Sequence, residues 1–307
     1  MYKEFMSKQG MVTTYLARDI LSLGVGDKIP TIADYVNKLN VSRGVVQQAI
    51  NFLVEKKAIT LYKGGKNGST LTACDKEVLK KFTGWDSISG TMPVPFSTQF
   101  ISLATALFNE LSKMPMPFSF AYISGAETRY EQLKKGYYDF IVVSELAAKQ
   151  ILEEDSDIEV ILTLDNCEYS SKHYIYFTNN DTTIRDGLRV GIDETCIDQM
   201  FLTEKIFSDY DVEYVKLPYI TLATMTDTKQ VDCFICRYEK NIPILKDTPK
   251  IPIDTNKFSG SNPEIPVILG NKNNYGLKAM IMKYFNVETC GKTQQQVING
   301  TKPIEFF

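Results

Sequence analysis

Apolar positions recur at helical spacing through the first fifty residues. Leu16, Ala17, Ile20, Leu21 and Leu23 form the stripe of one helix over 14–23, and Gly24-Val25-Gly26-Asp27 ends it. Pro30-Thr31 opens a second helix. Thr31 followed three residues on by Asp34 is a capping box, and Ile32, Ala33, Val36 and Leu39 are its apolar face. After a break at Asn40-Val41, Ser42 is placed to cap a third helix. Val45, Val46, Ala49, Ile50, Leu53 and Val54 form its buried face and leave Arg43, Gly44, Gln47, Gln48 and Asn51 pointing outward. Two short strands, 58–63 and 69–72, then flank a glycine-rich turn at 64–68 and predict a hairpin.

Helix, tightly joined helix pair, then hairpin is the order of a winged helix-turn-helix. The second helix of such a pair enters the major groove of DNA. The outward residues suit that task, because Gln and Asn pair in two-point fashion with adenine and Arg with guanine. The hairpin tip offers Lys63, Lys66 and Asn67 to phosphates, beside glycines that admit close backbone approach.

Beyond residue 73 the period changes. Residues 74–90 read as a linker, with a charged stretch over 75–82 and a turn-rich run over 83–90. Helices over 97–111 and 127–135 then alternate with strands over 118–123 and 138–143. A second block carries strands at 187–193, 212–217 and 231–236, with helices near 197–207 and 221–229. The chain returns through a strand at 265–269 and a last long helix over 275–285. Such alternation predicts α/β sheets with largely parallel strands. The lobes expected are one of about 91–180 plus 262–307, and one of about 185–250.

Charge sharpens this division. Residues 1–73 carry ten Lys/Arg against five Asp/Glu, and the remainder 24 against 32. A basic head on an acidic body suits a head that meets a polyanion. No run of about 18 apolar residues is present to span a bilayer, and the N-terminus lacks the apolar stretch of a secretory signal, so a cytoplasmic location is expected. The six cysteines, Cys74, Cys167, Cys196, Cys233, Cys236 and Cys290, are expected to be free thiols. Cys233 and Cys236 have CxxC spacing but fall on a predicted strand, where positions three apart face opposite sides.

Catalytic motifs are scarce. His173 is the sole histidine, so no His-rich metal site can form and a Ser-His-Asp triad is disfavoured. GxSxG, a phosphate loop and GxGxxG are all missing. The expectation is a non-enzyme with neither cofactor nor metal.

Pro30-Thr-Ile-Ala-Asp34, Val41-Ser-Arg-Gly-Val-Val-Gln-Gln-Ala49 and the glycine-rich wing resemble the GntR-type winged helix. The whole chain resembles the YhfZ-type regulators more closely, through Val12-Thr-Thr-Tyr-Leu-Ala-Arg18, Ser124-Gly-Ala-Glu-Thr-Arg-Tyr-Glu131, Gly136-Tyr-Tyr-Asp-Phe-Ile-Val-Val-Ser-Glu-Leu-Ala-Ala148 and the Asp193 region with Asp198-Gln199. The resemblance implies DNA contacts at Thr31, Ser42, Arg43, Gly44 and Gln47 and along the wing, with Gln48 beside them. Ala33 and Gln47 stand where GntR-type chains commonly have arginine. The two α/β blocks and the returning segment resemble the type II periplasmic-binding-protein fold, a bilobal effector sensor in many regulators.

Ligands of open α/β sheets sit beyond the carboxyl ends of the strands, where helix N-termini offer free N–H groups. That places a candidate effector site at Phe96, Ser97, Thr98, Ser124, Gly125, Ala126, Ser144, Glu145 and Asp193, with Glu194, Thr195, Arg237 and Tyr238 at further strand ends. Arg129 is a candidate anion clamp. For Ser97 and Ser144 plain helix capping is an equal reading, and for Arg129 an ion pair. The sequence thus predicts a homodimeric transcription regulator that binds double-stranded DNA and a small polar or anionic effector. The alternative is a cytosolic solute-binding protein or an enzyme on the same fold, with the winged helix used for protein contacts.

Overall fold

The computed structural model describes residues 7–64, 68–170, 172–224, 230–238, 243–255 and 262–305. The N-terminal elements are α1 (Lys8–Leu21), β1 (Lys28–Ile29), α2 (Ile32–Leu39), α3 (Arg43–Glu55), β2 (Ile59–Lys63), β3 (Ser69–Cys74) and α4 (Lys76–Lys80). They are followed by β4 (Ile88–Met92), α5 (Thr98–Leu111), β5 (Phe118–Tyr122), α6 (Ala126–Lys134), β6 (Phe140–Ser144), α7 (Glu145–Glu154) and β7 (Ile158–Thr163). Then come β8 (His173–Phe177), β9 (Arg189–Ile192), α8 (Ile197–Phe207), β10 (Glu213–Lys216), α9 (Tyr219–Thr224), β11 (Cys233–Arg237), α10 (Pro243–Asp247) and β12 (Lys250–Pro252). β13 (Pro266–Asn271), α11 (Leu277–Tyr284) and α12 (Val287–Ile298) close the chain.

Two compact units form. The first holds Met1–Ile88, Ser112–Phe118 and Asn273–Tyr284, and the second holds Ser89–Leu111, Ser119–Lys272 and Phe285–Phe307. In the first unit the predicted helices and hairpin are present. Thr31 and Asp34 close the expected capping box. β1, which the sequence reading did not anticipate, pairs antiparallel with β3 to complete a three-stranded sheet in the order β1-β3-β2. Leu16, Ala17, Ile20, Leu21, Tyr35, Val46, Ala49 and Leu53 are buried, so most of the predicted stripes of α1 and α3 face the core; Val54, expected on the buried face of α3, is exposed, and α2 buries Tyr35 in place of the expected Ile32, Ala33, Val36 and Leu39.

The helix predicted over 275–285 clusters with this first unit rather than with β13 before it or the helix Val287–Ile298 after it. Arg18 of α1 is the reason. Its Nε donates to the Thr83 carbonyl at 2.6 Å, Nη1 donates to Asn274 Oδ1 at 3.1 Å, and its guanidinium lies 4.3 Å above the Trp85 ring. Gly276 (φ +85°) lets the backbone pass where a Cβ would lie 2.6 Å from Arg18 Cβ, and Tyr15 meets Tyr275 edge-on at 5.1 Å. The helix is also not the last, since α12 follows from an Asn286 cap.

The second unit contains two five-stranded sheets, ordered β5-β4-β6-β13-β7 and β10-β9-β11-β8-β12. Two lobes joined by paired crossovers are what the binding-protein resemblance implied. Two corrections apply. The sheets are mixed rather than largely parallel: β13 runs antiparallel to both β6 and β7, and β8 antiparallel to both β11 and β12. A strand that returns from the other lobe enters its sheet from the opposite end. The expected lobe limit near residue 180 is also too late, because β8 belongs to the second sheet. Cys233 and Cys236 lie on β11, each fully buried, in two different apolar clusters on opposite faces. All six cysteines are free thiols.

Candidate functional site

In the first unit, α3 buries Val46, Ala49, Ile50 and Leu53 and exposes Arg43, Gly44 and Gln48. Gln47 is half-buried and donates from Nε2 to Asn51 Oδ1 at 2.9 Å, one turn on. That bond holds two amide side chains in register along the outward face. Ser42 sits at the N-cap position, but its side chain makes no capping bond, which differs from the predicted cap and leaves an exposed hydroxyl at the helix start. Thr31 is exposed at the start of α2, its hydroxyl engaged with Asp34. Lys63 is exposed at the end of β2. Lys66 and Asn67 lie outside the described residues.

In the second unit the predicted effector residues divide. Ser97 is buried and its Oγ accepts the Phe100 N–H at 3.1 Å, so it caps α5. Thr98 begins that helix, Ser124 is exposed, and Ala126 belongs to the first lobe's apolar core. Glu145 accepts the Asn262 N–H at 2.7 Å and so holds the returning chain. Asp193 is buried and its carboxylate is occupied by its own surroundings. Oδ1 accepts the Thr195 N–H (2.9 Å) and hydroxyl (2.7 Å), and Oδ2 accepts the Tyr219 N–H (2.7 Å).

Phe96, Gly125, Arg129 and Ser144 are instead drawn to one place, where the strand ends of the two lobes meet. Gly125 (φ +78°) packs on Thr195 of the other lobe so closely that a Cβ would fall 2.7 Å from its hydroxyl. The Glu127 N–H donates to the Thr195 carbonyl at 3.2 Å. Ser144 caps α7 by accepting the Ala147 N–H at 3.0 Å, and its hydroxyl donates across to Asp198 Oδ1 at 2.5 Å. Arg129, 2% exposed, donates from Nη1 to the Ile123 carbonyl at 2.8 Å and from Nη2 to the Tyr169 hydroxyl at 3.0 Å. Its Nε has no partner among the described residues.

Aromatic rings and a second guanidinium complete the cluster. Tyr169 meets Phe100 edge-on at 5.2 Å. The Arg237 guanidinium lies 4.1 Å over Phe100, 5.5 Å from Phe96 and 5.2 Å from Tyr219. The Tyr219 hydroxyl accepts the Arg237 N–H at 3.1 Å. Burial dominates the electrostatics. It pushes the Asp198 carboxyl up to about 6, although Ser144 and both arginines pull the other way. It pushes the Tyr169 phenol up to about 12, with Arg129 opposing. His173, buried at the start of β8, is driven down to about 3 by burial and by Arg237, so it is a neutral packing residue.

Tyr169 and Tyr219 were not singled out by the sequence, Thr195 and Arg237 lie at strand ends that it did single out, and Asp198 entered only through family resemblance. An acidic residue in a helix's first turn reads as ordinary dipole compensation. Tyr169 lies in a segment with no periodicity at all. Among the described residues no helix is long and apolar enough to cross a membrane.

Comparison with known proteins agrees with this architecture. Residues 24–71 match a helix-turn-helix domain model, which does not single out the GntR type. Residues 75–304 match the YhfZ C-terminal domain. The chain is 28% identical to the protein YhfZ of Escherichia coli K12 over 219 residues, 71% of each chain. It resembles the crystal structure of YhfZ from Shigella flexneri with a TM-score of 0.62 at 25% identity, over 74% of this chain and 96% of that one. A helix-turn-helix unit followed by a two-lobed domain that the YhfZ model matches over most of the chain places this protein in the YhfZ family.

Proposed function

We propose that this chain is a DNA-binding transcription regulator whose two-lobed unit senses a small polar metabolite. One observation carries the first half. α3 of the winged helix buries Val46, Ala49, Ile50 and Leu53 and turns Arg43, Gly44 and Gln48 outward, with half-buried Gln47 held by Asn51. A helix whose outer face served only solubility would have no use for paired amides, whereas base edges in the major groove do. Thr31 and Ser42, at the starts of α2 and α3, and Lys63 on the hairpin suit the phosphates on either side. The second half is supported by polar groups gathered where the two lobes meet, since hinge closure of two lobes is a switch available to a regulator. This reading sets the work of the protein in the compartment that holds the DNA.

The test is fluorescence anisotropy of the full chain on DNA from upstream of its own reading frame. Specific binding is expected, with affinity that falls as salt rises. Arg43→Ala should cost about 1–3 kcal/mol at the cognate site. Binding to that DNA no tighter than to scrambled duplex would refute the reading.

A further inference from the structure

Cys167 and Cys290 stand 123 positions apart in the chain, yet their sulfurs lie 3.6 Å from one another. Cys167 belongs to the turn-rich segment that leaves β7 for β8, and its N–H donates to the Leu164 carbonyl at 2.8 Å. Cys290 lies in the first turn of α12. Neighbours on both sides hold the two in register. On one side Gly291 lets α12 press against Asn166 so closely that a Cβ would fall 2.3 Å from the Asn166 carbonyl oxygen. On the other, the buried Gln294 amide accepts the Glu168 N–H at 2.7 Å and donates to the Glu168 carbonyl at 2.7 Å. Packing alone does not call for two thiols at this point, since small apolar side chains fill such space without reactive chemistry. An S–S bond is near 2.05 Å, so a closure of about 1.5 Å separates this contact from a disulfide.

We propose that Cys167 and Cys290 are a redox pair, which hydrogen peroxide closes to a disulfide that fastens the crossover between β7 and β8 onto α12. Cys167 is 5% exposed and Cys290 fully buried, so Cys167 meets the oxidant first. Its sulfur attacks one peroxide oxygen. An S–O bond forms, the O–O bond breaks, and the other oxygen leaves as water with the thiol proton. The Cys290 sulfur then attacks the sulfenic sulfur. The S–S bond forms, the S–O bond breaks, and a second water leaves with the Cys290 proton. The thiols lose two electrons and the peroxide gains them. A surface pocket of about 470 Å³, lined by Asn166, Gly291, Lys292 and Gln295 among others, opens at the residues that adjoin each cysteine in sequence. Cys233 and Cys236 do not compete despite their CxxC spacing, because they face opposite sides of β11. The bond would close a loop that contains every strand of the second sheet, β8 to β12, and so tie down one of the two crossovers between the sheets. This inference stands apart from the DNA-binding reading.

The experiment treats the full, reduced chain with hydrogen peroxide, blocks remaining thiols with iodoacetamide and maps its peptides by mass spectrometry. We expect a peptide pair joined through Cys167 and Cys290, roughly 2 Da lighter than its two parts and separated again by dithiothreitol. The same treatment in guanidinium chloride should show no preference for this pair, since the folded contact directs the reaction. The oxidised chain should melt about 5–15 °C higher, as suits a bond that closes so long a loop. Amide hydrogen exchange at Glu168 and Tyr169 should slow. Cys290→Ala should leave a sulfenic acid at Cys167 that dimedone traps, whereas Cys167→Ala should leave Cys290 unlabelled. Mapping of the unsubstituted chain carries the test where either variant fails to fold. The proposal is overturned if peroxide leaves both thiols reduced, or if it links other cysteines in the folded chain. It is equally overturned if the bond forms but changes neither Tm nor exchange, since the crossover would then not be fastened by it.

Discussion

At the scale of single residues, side chains at this lobe junction do work that their neighbours in sequence do not reveal. Asp193 and Asp198 are five positions apart and both buried, yet their chemistry differs. Asp193 receives two backbone N–H groups and a hydroxyl, which satisfy its charge locally. Asp198 receives only the Ser144 hydroxyl and the Ala147 N–H, so desolvation prevails and raises its carboxyl to about 6. A carboxyl that holds its proton more tightly when folded than unfolded adds stability below its unfolded value, near 3.8, and loses that contribution as pH rises through about 6. Ionised Asp198 is therefore a burden at neutral pH. Asp198→Asn, which retains the acceptor for Ser144, should stabilise the ligand-free protein at pH 8 by up to about 3 kcal/mol, taking 1.36 kcal/mol per pH unit. It should change little below pH 4. Denaturant unfolding of both proteins across pH 4 to 8 checks this, and parallel curves would show that Asp198 is not the group that titrates.

At the scale of elements, the helix Leu277–Tyr284 shows how one junction assigns a segment to a unit. Its own pattern is plainly helical, but nothing in it says which partner it packs against. That is decided by Arg18, which gathers Thr83, Trp85 and Asn274, and by Gly276, which passes beneath its Cβ. The backbone there is left-handed at φ +85°, which costs an L-residue about 1–2 kcal/mol, and an added Cβ would lie 2.6 Å from Arg18 Cβ. Gly276→Ala should accordingly destabilise the protein by about 2–4 kcal/mol, the steric conflict adding to the conformational cost. Gly300→Ala is the control. It shares a positive φ of +71° but has no atom within 4 Å of the added Cβ, so it should pay the conformational cost alone. Equal losses in the two variants, read from chemical denaturation, would show that Arg18 gives way without cost.

At the scale of the whole molecule, the reading as a regulator predicts two copies. One winged helix buries little surface on DNA and gives weak affinity, and two half-sites about 34 Å apart require two heads related by symmetry. Light scattering of the free protein at micromolar concentration should give about twice 34.8 kDa. A value of 34.8 kDa, unchanged on adding operator DNA, would exclude the paired arrangement.

How much of this was legible in the chain depends on the distance over which each feature is decided. The winged helix is written locally: the stripes of α1 and α3, the Thr31–Asp34 box and the glycine-rich hairpin turn are all set within a few residues. The same holds for most strands and helices behind it, and for the opposed faces of Cys233 and Cys236, which follow from the two-residue period of a strand. Strand direction was not legible, because β8 and β13 are antiparallel only by virtue of the lobe from which the chain arrives. The candidate site was half legible. Strand ends pointed to Ser144, Gly125 and Arg129, since helix starts beyond strands are visible in a linear pattern. Another strand end pointed to Thr195, while the counterparts Asp198, Tyr169 and Tyr219 come from the other lobe or from an irregular crossover. Likewise the sequence could show that Arg129 and Asp198 are charged. Only the packing of the two lobes removes water from both, because desolvation is a property of everything that surrounds a group rather than of its neighbours along the chain.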